Sequence, residues 1–329
     1  MEINWLASQV ESWQGGVASG RVPHAVLLAG PAGVGKRALA AWMAGQQLAV
    51  TAAGPLPVYP ASMPRHPDLH WLRPPEDRKS IGIDQVRELV GELALTSHEG
   101  RGKVAVIEPA DVMTVSAANS LLKTLEEPPG HALLILVADR AGRLPPTVRS
   151  RCRQLNIGIP AEAVSLAWLD RLRPGGNWGP ALRQAGGAPL AALDAHERLD
   201  LTESMAKDFS GIAERRVSPL EVAARWAKQE PDFVLEWVCR QVQHYVYRST
   251  GAAAATAGGG AADSVLNRID RRNLFCYLDI INGLRGQQAG SFNVQLTLES
   301  LLIDWARGLA GCQPPWTVSP DARMPSGTG

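Results

Sequence analysis

A chain of 329 residues is too long for one ordinary domain, and two or three are expected. A formal net charge of +1 argues against strong autonomous binding to nucleic acid, which needs a clear basic excess to neutralise phosphates, and leaves room only for a small basic patch. A hydrophobic share of 45% is ample for buried cores, yet no apolar run approaches the ~20 residues of a membrane span.

In chain order, residues 3 to 17 carry Trp5, Leu6, Val10 and Trp13 at helical spacing. Arg21 to His24 break that pattern and lead into Ala25 to Ala29, an apolar run that reads as a buried strand. A loop with Gly30, Gly33 and Gly35 follows, and a helix over 36–49 starts at Lys36 with Leu39, Trp42, Met43 and Leu48 on it. Thr51 to Pro67 is rich in Pro, Ala and Gly and reads as loop. Asp68 to Arg73 predicts a second strand, Ile83 to Leu95 a helix, and Lys103 to Ile107 a third strand. A helix over 115–126 sets Val115, Ala118, Leu121, Leu122 and Leu125 on one face, and Pro128-Pro129 ends it. Ala132 to Ala138 predicts a fourth strand, Leu144 to Arg149 a short helix and Gln154 to Ile159 a fifth strand.

Strand and helix alternate up to about residue 159, so an α/β domain with a parallel sheet, covered by helices on both faces, is expected over 1–160. Beyond Pro160 the strands stop. Two or three short helices are expected over 161–198 and a longer helical region over 199–312, where Phe233, Trp237, Val238, Val242 and Tyr245 mark one face. The helices at 231–247 and 293–309 offer more apolar surface than one domain of this size needs, which points to an assembly surface. Residues 249–262 are of low complexity and read as a mobile loop, and 313–329 as a disordered tail.

The four cysteines, Cys152, Cys239, Cys276 and Cys312, stand far apart. With no C-x-x-C pair, neither a zinc knuckle nor a disulfide framework is expected, and a reducing compartment follows. The opening Met-Glu-Ile-Asn-Trp has no signal-peptide pattern, so the cytoplasm is the expected location.

The most informative stretch is Gly30 to Arg37. It is one position short of the phosphate-cradling loop G-x-x-x-x-G-K-[ST], in which backbone N–H groups and a helix N-terminus hold phosphates and the lysine reaches the outer ones. The last position should be a hydroxyl on Mg²⁺, and Arg37 stands there. A guanidinium has no lone pair for a metal and carries the wrong sign beside one. An active ATPase of this type also ends the Val104-Ala105-Val106-Ile107 strand in Asp-Glu, for the metal and for the attacking water. Here Glu108-Pro109 follows. Glu108 is able to reach a metal, but it is equally readable as a solvated strand-end carboxylate, and Pro109 has no base to offer. Two defective positions favour a chain that kept the fold without the hydrolysis. Whether Lys36 still holds a nucleotide without turnover stays open at this point.

These residues carry a resemblance. Asn119 to Pro129 (Asn-Ser-Leu-Leu-Lys-Thr-Leu-Glu-Glu-Pro-Pro), the phosphate loop and Arg149-Ser150-Arg151-Cys152 together resemble the bacterial DNA polymerase III clamp loader subunits, members of the AAA+ class. The likeness covers residues 20 to 160 strongly. The later helices match more weakly, with Asn293 to Trp305 similar to the end of the family's collar. The resemblance implies an AAA+ sheet domain, a small helical lid and an all-α collar that joins subunits in a ring. The departures at Arg37 and Glu108-Pro109, with Asp139 in the place of a phosphate-sensing threonine and Leu190 in that of a lid arginine, resemble the stator class, delta-prime, which does not turn over ATP.

By the same resemblance Arg151 is an arginine finger supplied in trans to a neighbour's ATP. The chain would then serve a DNA-directed DNA polymerase holoenzyme, a nucleotidyltransferase. Its partners would be the motor (gamma/tau) and delta subunits and the sliding clamp. It would meet primer–template DNA through the assembly, and no membrane. The ordinary alternative for Arg151 is a salt bridge to a nearby carboxylate. The rival reading of the whole chain is an active AAA+ motor. Many relatives carry a four-cysteine zinc module after the phosphate-loop helix, and residues 48 to 67 hold no cysteine, so neither zinc nor Mg²⁺ is expected.

Overall fold

The computed structural model describes residues 1–50, 54–76, 78–249, 269–285 and 293–310. The expected low-complexity loop from 250 onward and the expected tail over 313–329 lie outside them. The chain divides into two compact units, Met1–Leu199 and the residues from Asp200 onward.

The first unit holds five strands: β1 (Ala25–Ala29), β2 (Leu69–Leu72), β3 (Val104–Ile107), β4 (Leu133–Ala138) and β5 (Arg153–Asn156). They form one parallel sheet in the order β2-β3-β4-β1-β5. The helices are α1 (Ala7–Ala18), α2 (Lys36–Gln47), α3 (Ile83–Ala94), α4 (Val115–Glu126), the one-turn α5 (Pro146–Arg149), α6 (Glu162–Leu172), α7 (Trp178–Gln184) and α8 (Pro189–Glu197). Every residue of β1, β3 and β4 is buried, as a sheet covered on both faces demands.

Side chains alternate between the two faces. Val26, Leu28, Val104, Val106, Ile135 and Val137 pack with α1 and α2 through Trp13, Leu39 and Met43. Trp168, Leu169, Leu182 and Leu193 of α6 to α8 join the same core. The helices expected as a separate lid thus share one apolar core with the sheet. On the opposite face Leu27, Ala105, Ile107, Leu134 and Leu136 meet Val86 and Leu89 of α3, Leu121 and Leu125 of α4, and Val148 of α5.

Two short stretches differ from expectation. The helix expected over 144–149 covers only 146–149. Leu144 precedes Pro145, whose ring pushes it out of the helical region to ψ 139°. The fifth strand ends at Asn156. Ile157 N–H still reaches the Ala29 carbonyl at 2.7 Å, and the chain then turns away towards α6.

The second unit is helical: α9 (Leu199–Ala213), α10 (Pro219–Trp226), α11 (Pro231–Ser249), α12 (Arg271–Arg285) and α13 (Val294–Ala306). Its centre is aromatic. Trp305 stacks on Phe209 at 4.2 Å between centroids and donates its indole N–H to the Phe209 carbonyl at 3.0 Å. Tyr277 donates its hydroxyl to the Leu301 carbonyl at 2.7 Å. Trp237, Val238, Val242 and Tyr245 of α11 face this core, as do Leu298, Leu301 and Leu302 of α13. Most of the apolar face of these two helices is therefore buried inside their own unit, while Leu296 stays 61% exposed. No helix among the described residues is long and apolar enough to cross a membrane.

Candidate functional site

The carboxyl ends of β1, β3 and β4 open into a cleft of about 580 Å³, lined among others by Gly33, Gly35, Lys36, Arg37, Glu108, Pro109 and Asp139. The sheet brings the phosphate loop and the third-strand end together, because β4 lies between β1 and β3 and carries Asp139 to the same edge.

Each charge that a nucleotide and its metal would use already has a protein partner. Lys36 is 4% exposed. Its ammonium donates to the Gly30 carbonyl at 2.7 Å and the Pro31 carbonyl at 2.5 Å, and pairs with Asp139 at 2.7 Å. The backbone at Asp139 is held from the segment after β3, where Asp111 accepts from the N–H groups of Asp139 (3.1 Å) and Arg140 (3.2 Å). The Asp139 expected to repel phosphate thus also neutralises the lysine that would attract it.

At the metal position Arg37 donates from Nε to Glu108 Oε1 at 2.7 Å. Glu108 Oε2 accepts from Trp71 Nε1 at 2.9 Å and Arg73 at 3.0 Å. Glu108 is only 9% exposed, so it is not the solvated strand-end carboxylate that the sequence equally allowed. A buried carboxylate bound by two guanidiniums and an indole N–H has three of its about four lone-pair sites engaged. A hydroxyl that would complete a Mg²⁺ shell is replaced by a cation. The donor set does not fit Mg²⁺. Among the described residues, no cluster of three or more His, Cys, Asp or Glu could hold a metal ion.

The phosphate loop itself is covered. Gly33 has φ +80°, and a Cβ there would lie 2.5 Å from the Ala191 backbone nitrogen. Leu190 N–H donates to the Gly33 carbonyl at 2.9 Å, so the first turn of α8 is fastened onto the loop. On the other side Trp5 Nε1 donates to the Val34 carbonyl at 2.9 Å. Leu190 and Asp194 both line the cleft.

Trp71, Arg73 and Asp194 were not among the residues singled out from sequence. The pairing of Leu72 with Ile107 explains the first two, because it sets the end of β2 beside Glu108. Sheet order, absent from any local pattern, is the signal that would have found them.

Arg151 lies well away from this cleft in the chain, in the turn between α5 and edge strand β5. Its Nε donates to Glu126 Oε1 at 2.7 Å, one terminal nitrogen pairs with the same carboxylate, and the other donates to the Thr147 carbonyl at 3.0 Å. Arg151 is 35% exposed and Glu126 is half exposed. The local salt bridge considered from sequence is therefore present. Cys152 beside it is buried, and burial pushes its thiol up to about 11, which keeps it a packing group rather than a nucleophile.

Comparison with known proteins places these features in a family. Residues 5–160 match the family described as DNA polymerase III, delta subunit. Over 228 residues the chain is 39% identical to the DNA polymerase III subunit delta' of Pseudomonas aeruginosa, spanning 66% of this chain and 69% of that one. Over 251 residues it is 31% identical to the subunit delta' of Haemophilus influenzae, spanning 72% and 76%. Among solved structures, a DNA polymerase III gamma subunit-related protein from Thermotoga maritima aligns over 93% of this chain and 99% of its own, at 16% identity and a TM-score of 0.49. The chain belongs to the DNA polymerase III subunit delta' family.

Proposed function

We propose that this chain is the stator subunit of a clamp loader: an AAA+ sheet domain that has given up ATP turnover and serves as one end of a subunit ring. One observation carries the reading. The two ion pairs Arg37–Glu108 and Lys36–Asp139 occupy the positions where a metal and phosphates would be held. Hydrolysis would require Glu108 to leave three donors, Lys36 to leave two carbonyls and Asp139, and some other group to replace Pro109 as base. The rival motor reading asks for all of these together.

In this reading residues 161–198 act as the lid and 199–312 as the collar, with motor, delta and sliding clamp as partners in the cytoplasm. Primer–template DNA is met through the assembly. Arg151, exposed at the sheet edge, reaches a neighbour's ATP. Arginine suits that role because its planar fork stays charged and bridges phosphate oxygens as negative charge shifts in the transition state.

Two measurements test the proposal. The purified chain should show no ATP turnover, against roughly 1–100 s⁻¹ for active phosphoryl-transfer enzymes. Mixed with motor and delta subunits, it should co-purify, and Arg151→Ala should slow the ring's clamp-stimulated ATPase without preventing assembly. Turnover by the chain alone that is lost in Lys36→Ala would refute the stator role.

A further inference from the structure

The segment Leu125-Glu126-Glu127-Pro128-Pro129 is the most specific motif in the chain, and nothing above gives its first carboxylate a function. We propose that Glu126 is a positioning residue for Arg151: it holds the guanidinium so that the remaining face points outward, towards a neighbour's phosphate. The inference rests on the reading of Arg151 as a donor in trans.

The argument starts at the end of α4. Pro128 and Pro129 forbid another turn, and Glu127 N–H closes the last one on the Lys123 carbonyl at 2.8 Å. Glu126 is therefore the final helical side chain, free of the intrahelical crowding that an interior position would impose. Arg151 leaves α5 in a backbone turn fastened at both sides, with its N–H on the Val148 carbonyl and Cys152 N–H on the Arg149 carbonyl. Buried Val148 and Cys152 flank it, so the backbone is fixed and only the long side chain has freedom.

That freedom is what the carboxylate removes. Guanidinium carries five N–H donors in a planar fork. Glu126 engages Nε and one terminal nitrogen, along one edge of the plane, and the Thr147 carbonyl takes a hydrogen from the other terminal nitrogen. One N–H then remains on each terminal nitrogen for phosphate oxygens. An arginine has much rotamer entropy to lose on engaging a ligand, and ordering it beforehand lowers that cost. With Arg151 35% and Glu126 50% exposed, the pair is screened by solvent, so it orients the side chain without locking it away.

The test compares Glu126→Ala, Glu126→Gln, Arg151→Ala and the Glu126→Ala/Arg151→Ala double variant, each as full chain reassembled with motor and delta subunits. ATPase is followed against ATP concentration, and unfolding of the lone chain serves as the control. A half-exposed charged pair sets the scale at up to about fivefold in kcat at the site facing Arg151. The expected result is a fall in kcat with KM unchanged for Glu126→Ala. Glu126→Gln should recover part of it, since its amide oxygen still accepts. The double variant should be no slower than Arg151→Ala alone. If Arg151→Ala leaves the rate unchanged, the finger reading falls. If Arg151→Ala slows the ring while Glu126→Ala does not, or if the two losses multiply, the finger stands and the positioning role is overturned. A faster Glu126→Ala ring would overturn it too, by showing that the carboxylate restrains the arginine.

Discussion

The Arg37–Glu108 pair makes an asymmetric prediction. Arg37 is 53% exposed, so its share of the pair is worth only about 0.5–1 kcal/mol. Arg37→Ala still leaves Glu108 with Trp71 and Arg73. Glu108→Ala is different, because it strips three donors of one shared, nearly buried acceptor and leaves two guanidiniums facing each other. Hydrogen bonds to charged groups are worth about 1.5–3 kcal/mol each; discounting for the half-exposed arginines, which regain water, puts the total at about 2–3 kcal/mol. For a unit of this size one kcal/mol moves Tm by roughly 2–4 °C, giving shifts of roughly 1–4 °C for Arg37→Ala and 4–12 °C for Glu108→Ala. Calorimetry of the full chain at low and high salt measures both. Salt should shrink the Arg37 effect and leave most of the Glu108 effect. Equal shifts in the two variants, or a Glu108→Ala protein as stable as the parent, would refute the view that Glu108 is the hub of the cleft.

Three further outcomes are expected. Burial alone would raise the Asp68 carboxyl, but hydrogen bonds from the His98 and Glu99 N–H groups and the Ser97 hydroxyl outweigh it and hold it below its ordinary 3.8. Its contribution is therefore full above that value and lost as pH falls through the lower folded one, so amide exchange at 98–99 should rise in acid, and Asp68→Asn should abolish that pH dependence. Gly33→Val should loosen α8 from the phosphate loop, because φ is +80° and a Cβ would sit 2.5 Å from Ala191; protease cleavage near 185–190 should accelerate. Trp305→Ala, at a site 1% exposed, should cost about 3–5 kcal/mol and unfold the second unit first, seen as early loss of near-ultraviolet circular dichroism.

Much of the fold was readable residue by residue. The helix over 115–126 has the expected bounds because its signals are local: Thr114 accepts from Ala117 N–H at the start, and two prolines stand just past the end. The inner strands β1, β3 and β4 were legible because a doubly covered sheet asks for unbroken apolar runs. What stayed hidden depends on pairing across the fold. No local pattern says that β2 lies beside β3, so the donors on Glu108 from Trp71 and Arg73 were not foreseen. Nor does the apolar face of Trp237, Val238 and Val242 reveal whether it meets its own unit or a partner; only the packing around Phe209 and Trp305 decides that.

The substitutions in the cleft come in complementary pairs, and this bears on reversal. A hydroxyl changed to Arg37 would by itself place a cation beside the lysine, but Glu108 takes it up. A threonine changed to Asp139 would place an anion at the phosphate site, but Lys36 takes it up. Each pair is formally neutral, so none of these four side chains is left as a bare charge. Restoring one member of a pair breaks that balance without rebuilding the site. Arg37→Thr returns the hydroxyl, yet Glu108 remains engaged by Trp71 and Arg73, Lys36 by Asp139, and Pro109 still supplies no base. The variant should therefore show neither Mg²⁺-dependent ATP binding by calorimetric titration nor turnover. Arg37→Thr combined with Asp139→Thr should bind nucleotide while still failing to hydrolyse it. Binding by the single variant as tight as by the double one would show that Asp139 does not hold Lys36 back, and the paired-charge account of the cleft would fail.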